Sequence, residues 1–316
     1  MEAGLMKGWD HYILPQSVDG ALDQLSRSAG QAQIIAGGTD LMIDLARGHQ
    51  RTGCLVDVTR IPEMCGVTGS AERGVAIGAA TTHAQTAASE LVRRHYTVLA
   101  EAASCVGSLQ IRNQGTIGGN LVNAQPAADA AVALAALDST VEIAGPSRGQ
   151  RRTVSWADLY AGKVGESRID STRELVTTVF LPPGAGGTGS SFQRLAQRKA
   201  LALPTLNCAV VLKVESGRIV WCRIALGPVA PTPFRSSEAE AILSGLAIDD
   251  ETGLRAAAAA VSGEACPRDS CLRGSAEYRC IVAGNLAYRG LQVALERSLQ
   301  GESEADAHPL VSGNGA

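Results

Sequence analysis

The sequence predicts an α+β protein: a mixed N-terminal region of about 185 residues, then a C-terminal region in which an antiparallel meander precedes a set of helices. Through the first half of the 316 residues, apolar runs of strand length alternate with segments of helical apolar spacing. A proline pair followed by glycines, "PPGAGGTGSS" from Pro182, then interrupts the chain. Beyond it lie two long apolar runs joined at Ser216 and Gly217, and after them only helical patterns. A chain of this length is long for one core, so two or three domains are expected.

In order, Val18, Ala21, Leu22 and Leu25 share one helical face. "AQIIAGG" reads as a buried strand ending in a glycine turn, and "TDLMIDLARG" as a helix capped by Thr39 or Asp40 and stopped by Gly48. "CLVDVT" and "GVAIGAATT" read as strands, with Thr81 or Thr82 starting a helix, and "HYTVLAEAASCVG" as another helix. The stretch "RNQGTIGGNLVNAQPAADAAVALAAL", residues 112–137, is a turn crowded with small residues that runs into a helix over about 127–137. "STVEIAG" and "RRTVSW" alternate as strands do, and "RELVTTVFLPP" is a strand ended by prolines. The glycine-dense stretch reads as a flexible connection. After it, "TLNCAVVLKVESGRIVWCRIALGPV" supplies the two long strands, and "SEAEAILSGL", "DETGLRAAAAAVSG" and "SAEYRCIVAGNLAYRGLQVALERSL" supply helices. The polar 301–316 segment reads as a flexible tail.

Composition removes several function classes. With 45% hydrophobic and 19% charged residues the chain is a folding one, and a net charge of −3 offers no footprint for nucleic acid or an anionic membrane. No apolar run approaches the roughly 20 residues of a membrane span, and the first residues lack a secretory apolar core, so a cytoplasmic location is expected. Eight cysteines without a C-x-x-C pair give no metal or iron-sulfur ligand set, and Cys266, Cys271 and Cys280 read as reduced structural thiols. Gly162 and Lys163 are followed by Val164, which rules out a P-loop. There is no G-x-S-x-G, and the five histidines are dispersed. "GAGGTG", residues 184–189, satisfies the dinucleotide fingerprint in letters, but it follows two prolines and lacks the downstream acidic residue on a second strand. No catalytic residue and no metal ligand is assigned.

Two other glycine loops are chemically suggestive. In "IIAGGTDL", residues 34–41, a strand, a Gly-Gly turn and a helix start place consecutive backbone N–H groups where an anion can approach them; a plain turn using Gly37 for a positive φ is the alternative. In "GTIGGN", Gly115, Gly118 and Gly119 are expected to expose amides while Thr116 and Asn120 offer side-chain hydrogen bonds. Asp129 sits at a helix start, where its carboxylate either caps the helix or accepts from ribityl or ribose hydroxyls. Together the loops suit a long ligand with a diphosphate in its middle, and glycine at Gly37 and Gly119 keeps a Cβ out of the phosphate path.

The runs "IIAGGTDL", "IRNQGTIGGNLVNAQPAAD", "ELVTTVFLP", "SSFQRLAQRKALALPTLNCAVVL", "RIALGPVAPTPFR" and "LRGSAEYR" occur in this order over nearly the whole chain. In this the chain resembles the FAD-binding medium subunits of molybdenum hydroxylases, the xanthine dehydrogenase and carbon monoxide dehydrogenase flavoproteins. The resemblance implies an FAD-binding region of the vanillyl-alcohol oxidase type in two subdomains, 1–57 and 58–185, and a C-terminal flavoprotein domain at 190–300. It places Ile35, Ala36, Gly37, Gly38, Thr39, Asp40 and Leu41 around the FAD diphosphate, with Thr116, Ile117, Gly118, Gly119, Asn120 and Asn123 on its other side. Asp129 takes ligand hydroxyls, Val106 and Gly107 approach the cofactor, and Val176 and Gln193 fall near the flavin ring. Where some relatives carry lysine, this chain has Gln193. The implied partners are a small subunit with two-iron two-sulfur clusters and a large subunit with the molybdopterin cofactor, as a dimer of heterotrimers, with NAD+ or another acceptor taking the electrons. The rival readings are a self-contained flavin oxidase and a non-catalytic nucleotide-binding module.

Overall fold

The computed structural model describes residues 8–184, 186–198 and 201–306, with side chains through residue 300. Strand β1 (His11–Ile13), helix α1 (Val18–Arg27), β2 (Ala32–Ile35), α2 (Leu41–Ala46) and β3 (Cys54–Asp57) form a parallel sheet in the order β1-β3-β2. The face that the spacing predicted for α1, Val18, Ala21, Leu22 and Leu25, is the one it buries, and Ser17 caps its start by accepting from the Gly20 N–H. Strand β3 is central and all four of its residues are buried.

A second unit follows: β4 (Val67–Ser70), β5 (Gly74–Gly78), helices α3 (His83–Ala88), α4 (Glu90–His95), α5 (Thr97–Cys105), α6 (Leu109–Gln114), α7 (Ile117–Val122) and α8 (Asp129–Ala136), then β6 (Thr140–Ala144), β7 (Arg151–Ser155) and β8 (Leu175–Leu181). Its strands make a five-stranded antiparallel sheet in the order β4-β5-β8-β6-β7. Thr82 starts α3 through a capping box with Gln85, as its position suggested. The helix expected across "HYTVLAEAASCVG" is α5, and the backbone leaves the helical region at Tyr96 to separate it from α4 before it. Residues 112–122, expected to belong to a turn, instead lie in α6 and α7, which meet at Gly115 and Thr116.

The remaining strands β9 (Thr188–Leu195), β10 (Leu206–Glu215), β11 (Arg218–Gly227) and β12 (Phe234–Arg235) form an antiparallel sheet in the order β12-β11-β10-β9, followed by α9 (Ser237–Leu243), α10 (Glu251–Glu264) and α11 (Ala276–Asp306). Ser216 and Gly217, both at positive φ, close the β10–β11 hairpin and set Glu215 opposite Arg218. This sheet is covered on both faces. Val210, Leu212 and Ile224 face a core shared with α9, α10 and α11, while Ala209, Val211 and Ala225 face the core of the N-terminal units. That double burial is why β10 reads as an unbroken apolar run rather than an alternation.

The glycine-dense stretch is not a free connection over its described residues. Gly189 belongs to β9, and a Cβ there would stand 1.8 Å from the Ala294 carbonyl oxygen, so the glycine lets α11 lie directly on the strand. Helix α8 packs against α5, β10, β11 and β12, and every residue from Asp129 to Ala136 is buried. Its alanines are therefore core residues that permit close approach from several sides. Helix α11 runs on through Asp306, so the first residues of the 301–316 segment are helical rather than a loose tail; residues 307–316 lie outside the described residues.

Candidate cofactor-binding site

One cavity of about 670 Å³ opens between the end of β2, the α6–α7 junction, the start of α8, the start of β8 and the chain between β9 and β10. Ile35, Ala36, Gly37, Gly38, Thr39, Asp40, Leu41, Val106, Gly107, Thr116, Gly118, Gly119, Asn120, Asn123, Asp129 and Val176 line it. Two residues singled out in the sequence do not. Ile117 is fully buried in the core of the N-terminal units. Gln193 lies on the face of β9 turned to α11, where its Cγ is 3.5 Å from the position a Gly290 Cβ would take.

The two glycine loops are in contact. A Cβ on Gly37 would stand 2.1 Å from the Gln114 carbonyl oxygen and 2.8 Å from the Gly115 Cα. Gly37 is therefore glycine because two backbones meet there, not because a phosphate needs the space, and the positive φ of this turn belongs to Gly38, at +66°.

The loops differ in what they offer a ligand. Among the described residues, none of the six N–H groups of residues 36–41 donates to a group of the chain. The expected cap of α2 is absent too. Asp40 makes no side-chain bond to the helix start, and its carboxylate accepts from the Thr39 hydroxyl at 3.2 Å. The result is a run of unused donors at the edge of one cavity, a ready anion cradle.

The second loop is the reverse of what the sequence suggested. The Ile117 N–H donates to the Thr81 carbonyl at 3.0 Å, Gly118 to Ala79 at 2.8 Å, Gly119 to the Thr116 hydroxyl at 3.1 Å and Asn120 to the Thr116 carbonyl at 3.0 Å. Gly118 is needed for packing, since a Cβ would meet the Ala79 Cβ at 2.7 Å. Gly119 is different: only the Thr116 Oγ1, at 3.0 Å, stands near its Cβ position. Asn120 accepts from the Ala131 N–H at 3.2 Å and so caps α8, the role the sequence offered to Asp129.

Asp129 instead forms a buried cluster at the cavity wall. Its Oδ1 accepts from Asn207 Nδ2 at 2.7 Å, and both its oxygens lie 3.3 Å from Arg194 Nε. Burial lifts its carboxyl above the ordinary range, against the pull of Arg194 and Asn207. Arg194 also donates through Nη2 to the Ala202 carbonyl, tying the β9–β10 chain to the start of α8. It follows Gln193 in β9, and the one-residue offset decides which side chain looks into the cavity. The other lining arginine, Arg273, donates to the Pro204 carbonyl at 3.2 Å. Both cations are thus partly engaged by the chain, and the amides of residues 36–41 are the run of donors that the chain leaves unused.

His83, which the sequence gave no reason to select, also lines the cavity and is 2% exposed. Burial, with the Arg112 charge adding, pulls its imidazole down to about 4, so the ring is neutral near pH 7. Val106, Ile169, Val176, Leu201 and Leu203 give the rest of the wall an apolar character. An amide cradle, a buried carboxylate and an apolar wall in a single cavity match the three parts of a flavin dinucleotide: diphosphate, polyol and ring.

Comparison with known proteins points the same way. Residues 6–184 match the family described as "FAD binding domain in molybdopterin dehydrogenase", and residues 191–294 match the "CO dehydrogenase flavoprotein C-terminal domain". The carbon monoxide dehydrogenase medium chain of Hydrogenophaga pseudoflava is 32% identical over 286 residues, covering 90% of this chain and 97% of that one. The nicotine 6-hydroxylase medium subunit of Paenarthrobacter nicotinovorans is 34% identical over 272 residues, covering 85% of this chain and 91% of that one. Among solved structures, carbon monoxide dehydrogenase from Hydrogenophaga pseudoflava superposes with a TM-score of 0.84 at 31% identity, covering 91% of this chain and 98% of that one. Quinoline 2-oxidoreductase from Pseudomonas putida 86 superposes at 0.81 and 28% identity, covering 93% of this chain and 98% of that one. Among the described residues no helix is long and apolar enough to cross a membrane, and no group of side chains is placed to hold a metal ion.

Proposed function

The chain belongs to the family of FAD-binding medium subunits of molybdenum hydroxylases, an oxidoreductase family, and on that premise we propose that it carries electrons between a partner's two-iron two-sulfur clusters and NAD+ or another acceptor. The observation that carries the reading is the run of unused N–H groups at residues 36–41 on the same cavity as Asp129. Those amides hold the diphosphate without a lysine or a magnesium ion. The spare lone pairs of Asp129 accept from the ribityl or ribose hydroxyls, and Val106, Val176 and Leu203 shield the ring from water. When bound, the flavin supplies a centre that takes electrons singly and releases them in pairs. No side chain of this subunit acts as acid or base on the substrate; its work is to position the ring and leave one side open to the acceptor.

The partners in this proposal are a small iron-sulfur subunit and a large molybdopterin-bearing subunit, assembled as a dimer of heterotrimers in the cytoplasm. The units 1–57 and 58–185 bind FAD, and 190–300 is the C-terminal flavoprotein domain. The relatives' names include carbon monoxide, nicotine and xanthine enzymes, so the substrate is set outside this chain. Isolating the native complex and following flavin absorbance under anaerobic conditions tests the proposal. Iron and molybdenum should copurify with a bleachable flavin, whereas a colourless chain that takes up no FAD would overturn the reading.

A further inference from the structure

Among the described residues, the buried side chain of His83 has no hydrogen-bond partner. It is 2% exposed, and its Nδ1 is sealed from solvent without a partner among those residues. Among the described residues, none bonds to either ring nitrogen. Leaving a buried polar atom unpaired costs stability, so the chain carries a penalty that an apolar residue would remove. The backbone of His83 is fixed by its N–H, which donates to the Gly115 carbonyl at 3.0 Å. The ring lies against Gly115, with Cδ2 3.3 Å and Nε2 3.8 Å from where a Gly115 Cβ would stand. Gly115 is also the residue that Gly37 touches, so the imidazole borders the junction of the two loops and lines the cavity there.

A neutral imidazole has one N–H. With Nδ1 sealed and lacking an acceptor, the less costly tautomer leaves a lone pair on Nδ1 and carries the proton on Nε2. The junction then holds one rigid N–H donor beyond the amides of residues 36–41.

We propose that His83 is a ligand-binding residue of this cavity, donating a hydrogen bond to a phosphate oxygen of the bound dinucleotide. The inference rests on the FAD reading above and deepens it. Arg112 stands close enough to His83 to act on it electrostatically, so the ring is held neutral beside a cation and serves as a directional donor rather than a second charge.

The test compares the flavin-stripped full-length chain with its His83→Leu variant, measuring affinity for FAD, ADP and riboflavin alongside thermal stability. FAD and ADP should bind about ten- to a hundredfold more weakly to His83→Leu, the range for a hydrogen bond to a charged group. Riboflavin, which has no phosphate, should bind both alike. His83→Gln, which keeps an N–H donor of similar reach, should recover most of the loss. The unliganded His83→Leu chain should melt no lower than the parent, because the unpaired polar atom is gone. If His83→Leu does not fold, the smaller His83→Ala, which also lacks a donor, carries the same comparison. Unchanged FAD and ADP affinity, or an equal loss for riboflavin, would overturn the assignment. A parent chain that binds neither FAD nor ADP would instead overturn the FAD reading itself.

Discussion

Replacing Gly37 by alanine isolates the contact between the two glycine loops. The φ of Gly37 lies outside the positive region, so alanine can adopt its backbone conformation and any effect comes from the added methyl group. That methyl would sit 2.1 Å from the Gln114 carbonyl oxygen, about 0.9 Å inside the 3.0 Å limit below which real contacts essentially never occur. The nearest atoms are backbone on both sides and cannot rotate away, so the loops must part by most of that distance. Forcing one methyl into a packed site costs about 1–3 kcal/mol. A shift of that size also carries the amides of residues 36–41 out of hydrogen-bond range of an anion held by the rest of the cavity. Gly119→Val is the control, because a Cβ there meets only the Thr116 Oγ1 at 3.0 Å and valine is no worse than glycine within a helix. Flavin content after gel filtration and thermal midpoints of the flavin-stripped proteins distinguish the two. Gly37→Ala should lose both flavin and stability, and Gly119→Val should lose flavin while its unliganded midpoint stays close to that of the parent. A Gly37→Ala protein as stable as the parent would refute the loop-to-loop contact.

Arg194→Met should destabilise the chain by about 3–5 kcal/mol in urea, since it strands a buried carboxylate, and Asp129→Asn combined with it should recover much of that loss; strictly additive effects would argue against the pair. Gln193→Ala should leave the spectrum of bound flavin unchanged, because Gln193 faces α11, while a spectral shift would return it to the cavity. The unliganded chain should lose stability as pH falls from 6.5 to about 4. The unfolded His83 takes up a proton across that window and the folded one does not, so the stability present above pH 6.5 is forfeited there. At about 1.4 kcal/mol per unit the loss is about 3 kcal/mol. His83→Gln should flatten that part of the profile, and an unaltered slope would show that other groups produce it.

Much of the architecture was legible because it follows from local rules. The apolar face of α1, the Thr82 capping box and the Ser216–Gly217 turn each rest on residues a few positions apart. The loop at 34–41 was legible for the same reason, as a strand end, a glycine pair and a helix start are contiguous. What could not be read was set by distant neighbours. Whether the amides of Gly118 and Gly119 face a ligand or the chain depends on where Ala79 and Thr116 stand. Gly189 looked like part of a linker because Ala294, the atom group it makes room for, lies 105 positions away along the chain. Whether Gln193 or Arg194 points inward is a matter of strand parity, which a short motif without its register leaves open. His83 left no trace in the pattern, since an isolated histidine gains meaning only from its enclosure.

Helix α8 joins these findings. It is enclosed along its whole length, and the carboxylate that faces the cofactor cavity sits on its first residue. A buried rod of alanines admits almost no enlargement, whereas α9, α10 and the outer side of α11 can exchange residues freely at their exposed positions. Change at those outer positions leaves the packing around the first residue of α8 undisturbed. The pocket wall and the outer helices can thereby change at different rates along the same chain.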